Sequence, residues 1–123
     1  MIVMIFEFAV IDVEMADYLA HSASLREHLA GIEGFLSVER FASTATPGRF
    51  VAIGYFTDED AVRRWRNLPE HRRAQSLGRS RYFSGYRLVM AEALRDYSHD
   101  LRSDAPGDSK TFHRNAGERH VRS

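Results

Sequence analysis

GFLSVERFASTATPGRFVAIGYFT, residues 34–57, decides the fold. Its arms, 34–43 and 49–57, are rich in aromatic and β-branched residues, and the TATPG between them is a turn signal. Together they predict an antiparallel hairpin with a short connection. Upstream, Met15, Tyr18, Leu19, Ser22, Leu25, Leu29 and Ile32 recur at helical spacing, and Gly31 and Gly34 close that segment, which predicts a helix over 14–31. Further upstream, IVMIFEFAV, residues 2–10, carries a single charge and reads as a strand covered on both faces.

Downstream of the hairpin, Thr57 stands at the N-cap position of a second helix, with Asp58, Glu59 and Asp60 in a first turn whose dipole favours carboxylates. Pro69 cannot continue that helix but suits the first turn of another, so Asn67 and Leu68 mark a break, and the second piece ends near Gly78. YRLVMAEALRDY, residues 86–97, then reads as a long final strand. The order β-α-β-β-α-β is the split βαβ of the ferredoxin-like α+β class, a four-stranded sheet with two helices on one face. Val3, Ile5, Val89, Ala91 and Ala93, or their alternating neighbours, would leave the other face apolar, and such a face predicts a homodimer packed sheet to sheet.

The domain is expected over 1–97. From Ser98 to Ser123 apolar side chains almost vanish, so 98–123 is expected as a polar arm, extended or partly disordered.

Composition narrows the chemistry. The 123 residues include no cysteine, which removes disulfides, thiolate catalysis and cysteine-ligated metal. No stretch reaches the roughly 18 apolar residues of a membrane helix, and MIVMIF lacks a basic leader, so a cytoplasmic protein is expected. Net charge is zero, yet residues 1–60 carry 3 basic and 10 acidic groups and the remaining 63 carry 14 and 7. The arginines of the second half follow no nucleic-acid-binding motif, so no nucleic-acid partner is expected.

GFLSVERF, YFTDEDAVRRWRNLPEHRRAQSLGR and YRLVMAEALRDY, taken in order, resemble the antibiotic biosynthesis monooxygenase family over about residues 1–97. The resemblance implies a dimeric α+β barrel with a pocket between sheet and helices in each subunit. It also implies cofactor-independent oxygenation of a small aromatic or polyketide-like substrate, with no cofactor. In haem-degrading relatives the iron-ligating His would stand ten residues after a helical Trp. Trp65 fits the Trp, but Gln75 occupies the ligand position, and an amide is a poor haem ligand, which leaves only an off-pattern His71.

The candidate residues each have two readings. His71, Gln75 and Arg79 recur at intervals of four and share a helix face, either as a solvated surface or as a site with His71 as general base. Trp65 lies on the apolar stripe of its helix, as core or as a wall that stacks a planar ligand. Glu7, the lone charge of its strand, is either an arginine's structural partner or a second pocket base. Tyr82 and Tyr86 can pack their rings and still offer a hydroxyl to a ligand. A non-catalytic small-molecule-binding protein could be built from the same residues.

Overall fold

The computed structural model describes residues 1–112 of the chain. The elements follow the expected order: β1 Ile2–Val10, α1 Met15–Leu29, β2 Phe35–Ala42, β3 Arg49–Phe56, α2 Glu59–Arg66, α3 Pro69–Leu77 and β4 Phe83–Glu92. A short 3-10 turn, Asp12–Glu14, leads into α1, and a wide π-type turn, Gly78–Tyr82, joins α3 to β4. The sheet is antiparallel with strand order β2-β3-β1-β4, the ferredoxin-like arrangement. Among the described residues, no helix is long and apolar enough to cross a membrane.

Three local readings are corrected. The N-cap of α2 is Asp58, whose side chain accepts from the Ala61 amide at 2.9 Å, and Thr57 lies one residue before it, its backbone N–H donating to the Gly34 carbonyl at 2.8 Å. The last strand starts three residues before Tyr86, at Phe83, and ends at Glu92 instead of Tyr97. The first strand alternates: Ile2, Met4, Phe8 and Val10 are buried, whereas Val3, Ile5 and Ala9 are only half-buried in the single chain.

Pro69 does open α3 at its first helical position, after the break at Asn67 and Leu68. Proline's fixed φ suits that position, and its missing N–H would have had no intrahelical partner there.

Because partners across an antiparallel ladder share a face, the register sorts the sheet. Met4 pairs with Gly54 and Met90, and Phe6 pairs with Ala52 and Leu88, so these residues face the helices. Ile5 pairs with Ile53 and Val89, and Val3 with Tyr55 and Ala91, so these lie on the face away from the helices. The core on the helix side is Ile2, Met4, Phe56, Ala61 and Val62, with Phe35, Val38 and Trp65 packed against it.

Gly34 has φ +88°, a left-handed conformation, and a Cβ there would lie 2.5 Å from Thr57 Oγ1 and 2.7 Å from Ala61 Cβ. Only glycine brings the start of β2 this close to α2. Residues 93–112 belong to a second compact unit, separate from Met1–Glu92. Within it the Asp96 amide donates to Asp104 Oδ2 at 2.7 Å, and residues 107–112 are helical. The rest of the polar arm lies outside the described residues.

Candidate functional site

α1 buries none of its residues, although its inward stripe is apolar and aromatic. The reason is space: between α1, α2–α3 and the sheet lie two adjoining cavities, of about 150 and 330 Å3. Met4 and Phe6 from β1, Tyr18, Ser22 and Leu25 from α1, Trp65 from α2 and His71 from α3 line both. The smaller lobe extends over Val38 and Arg40 of β2 and Ala52 of β3. The larger extends toward β4 and is closed by His21, Gln75, Arg79, Tyr82, Phe83, Tyr86 and Leu88.

The π-type turn shapes this second lobe. Its extra residue carries Tyr82 inward, where the ring is 5% exposed, and turns Arg81 outward to pair with Glu14 at 2.7 Å and with Asp17. The turn is thereby tied to the start of α1. Gly78 permits it, since a Cβ there would stand 2.6 Å from the Phe83 ring.

The interval of four does bring His71, Gln75 and Arg79 to one cavity, together with Trp65, Tyr82 and Tyr86. The His71 ring packs against Trp65 with centroids 4.0 Å apart and planes at 42°, and Trp65 packs in turn on Phe56 at 5.5 Å. Core residue and cavity wall are thus the same tryptophan. Burial, with a smaller contribution from the charge of Arg72, lowers the His71 imidazole to about 4, so it is neutral at pH 7. Its Nε2 is buried and has no hydrogen-bond partner among the described residues. Gln75 is partly engaged, its Oε1 accepting from Arg72 at 3.2 Å.

Glu7 is not brought to this site. The alternation of β1 turns it to the opposite sheet face, where its Oε2 lies 3.7 Å from Arg49 Nη2. The reading of Glu7 as an arginine's partner therefore describes its surroundings, and the pocket-base reading does not.

The structure adds residues that periodicity alone did not single out. His21 Nδ1 lies 3.4 Å from the Tyr82 hydroxyl. Arg40 Nη1 donates to Ser22 Oγ at 2.9 Å, and its guanidinium lies over the rings of Tyr18 and Phe50 at 5.5 and 5.9 Å. The available signal was parity: Arg40 alternates with Val38, and both pair with inward residues of β3.

The site does not fit a haem held through the position ten residues after Trp65. Gln75 offers an amide there, already holding an arginine, and His71 is packed against the indole. Among the described residues, no three His, Asp or Glu side chains converge to hold a metal ion.

The family model for antibiotic biosynthesis monooxygenase matches residues 1–77. The chain is 35% identical over 75 residues to a protein of Pyricularia oryzae named jasmonate monooxygenase ABM, covering 61% of this chain and 35% of that one. It is 34% identical over 62 residues to the uncharacterized protein YqjZ of Bacillus subtilis, covering 50% and 53%. It therefore spans between about a third and a half of these curated relatives. The crystal structure of a mutant of SnoaB, a cofactor-independent oxygenase from Streptomyces nogalater, superposes with a TM-score of 0.67 at 21% identity, covering 77% of this chain and 94% of that one. That likeness carries the fold, while the match over residues 1–77, more than half of the chain, carries the family. The chain belongs to the antibiotic biosynthesis monooxygenase family.

Proposed function

We propose that the protein is a cofactor-independent monooxygenase acting on a planar phenolic or polyketide-like aromatic held against Trp65. The observation that carries this reading is the neutral His71 packed on Trp65 at the wall of an aromatic cavity. In the reaction, a base takes a proton from an activated methylene, and the resulting anion gives an electron to oxygen. Recombination forms a carbon–oxygen bond, and loss of water leaves a carbonyl. One oxygen atom enters the product and the other leaves as water, so the substrate supplies all the electrons.

In this scheme His71 receives the proton. An imidazole held near 4 is a weak base, because general bases act best with pKa near the working pH. An adjacent substrate anion would raise it by Coulomb attraction. Gln75, Arg79, Tyr82 and Tyr86 are the donors available to stabilise that anion. The test is oxygen uptake with 1,8-dihydroxyanthrone under 18O2. One labelled atom in the product and a fall of about 100-fold or more in turnover for His71→Ala are expected. Unchanged turnover in that variant removes His71 from the role.

The low basicity of His71 also favours a second reading, ligand binding without turnover. It predicts saturable binding of the same probe with oxygen uptake at background.

The outer sheet face supports a homodimer. Val3, Ile5, Val51, Ile53, Tyr55, Val89 and Ala91 share it by register, and all are half-buried or exposed in the single chain. The apolar side chains of this face, which they share with Glu7, Glu39 and Arg87, are stabilised by being covered. A second copy of the same face is the self-complementary cover.

A further inference from the structure

We propose that Arg40 makes the smaller lobe a carboxylate-recognising end of the cavity, so that the ligand is an aromatic carboxylate with its ring against Trp65 and its charge at Arg40. This rests on the reading of the cavity as an aromatic-ligand site and adds the substrate's charged group.

Residues 1–60 contain only three basic groups, and two of them, Arg26 and Arg40, line this lobe. The third, Arg49, pairs with Glu7 on the other sheet face. Arg26 is exposed, whereas Arg40 is half-buried on an inward strand position, with its guanidinium over two aromatic rings. A partly desolvated guanidinium is ordinarily paired with a carboxylate. Among the described residues, none lies within 4 Å of Arg40 in an ion pair. Its side-chain partners are neutral hydroxyls, Ser22 Oγ, to which it donates, and the Tyr18 hydroxyl beside it.

The lobe's one carboxylate, Glu70, lies 3.9 Å from His28 Nδ1. Across both lobes the formally charged lining is Arg26, Arg40, Arg72 and Arg79 against Glu70, an excess of cations. Arg72 is engaged by Asn67 and Gln75, and Arg79 is exposed, which leaves Arg40 as the half-buried cation with spare donors. Burial raises the Tyr18 hydroxyl above its ordinary value despite Arg40 beside it, so it stays protonated and can donate to the same anion. One half-buried guanidinium flanked by hydroxyls matches a single negative charge, and its planar fork fits a carboxylate.

Trp65 is the chain's only tryptophan and lines both lobes, so its fluorescence reports on this cavity. The test titrates the full chain with 2-naphthoate and with its neutral isostere 2-naphthamide, by fluorescence and by calorimetry. The wild type is expected to bind the acid about 10-fold to 100-fold more tightly, the worth of a charge-assisted hydrogen bond. Arg40→Gln should reduce acid binding to the level of the amide, and Arg40→Lys should keep part of the preference. Equal binding of both probes by the wild type, or a preference that survives in Arg40→Gln, overturns the assignment while the aromatic cavity stands. Binding of neither probe overturns the aromatic cavity and the carboxylate end with it. If Arg40→Gln does not fold, the wild-type ratio and Arg40→Lys decide.

Discussion

His71 and Trp65 pack ring against ring, with centroids 4.0 Å apart, and this contact both walls the cavity and shields the imidazole from water. The shielding links stability to pH. An unfolded histidine titrates near 6.5, whereas folded His71 is lowered to about 4. Between those values the unfolded chain binds a proton that the folded chain refuses, so stability is lost as pH falls from about 6.5 toward 4. Melting curves across that window should fall less steeply for His71→Phe than for the wild type. Equal slopes would show that His71 is not the buried proton acceptor.

Trp65 joins the core cluster through Phe56. Trp65→Ala should destabilise by about 2–3 kcal/mol in urea denaturation, below the range for a fully buried aromatic because the indole is half-buried. Trp65→Phe should cost less than half of that. Unchanged stability in the alanine variant would reduce Trp65 to cavity lining alone.

Gly34→Ala should cost roughly 2 kcal/mol, from the left-handed φ and the approach to Thr57 and Ala61. Gly85→Ala, where a Cβ meets nothing within 4 Å, should stay within about 0.5 kcal/mol of wild type. Comparable losses at both positions would contradict the packing of β2 on α2.

Asp58→Ala removes the side-chain acceptor for the Ala61 amide and should cost about 1 kcal/mol, while Asp58→Asn, which keeps an oxygen there, should cost little. Thermal melts of the pair measure it. A Thr57→Ala loss larger than the Asp58→Ala loss would restore Thr57 as the cap.

Ile53 is at the centre of the outer sheet face, opposite Glu39, and in a face-to-face dimer Ile53→Asp would bury a charge beside a like charge. Light scattering after size exclusion should show a dimer for the wild type and a monomer for the variant. A wild-type monomer at the highest attainable concentration would remove the proposed interface.

Much of the fold was legible because its signals are local. The hairpin showed in two β-rich arms around TATPG, and Pro69 marked the break between α2 and α3. The end of β4 was not legible, since it is set by the point where β1 runs out of pairing partners at Ile2, a boundary that lies in another part of the chain. The cap moved by one residue because both Thr57 and Asp58 are capping types, and the helix starts so that Asp58, the stronger of the two, reaches the Ala61 amide.

The site divides the same way. Interval-of-four spacing places His71, Gln75 and Arg79 on one side of a continuous helical path, and that much the amino-acid sequence determined by itself, along with the element order and the inward stripe of α1. Tertiary structure alone decided that Glu7 faces away from the cavity while Arg40 and His21 face into it. The reason is physical: side-chain periodicity is a property of one segment. Which polar groups share a cavity depends on strand register and on the path of the turn between α3 and β4, which are set by contacts between residues far apart in the chain.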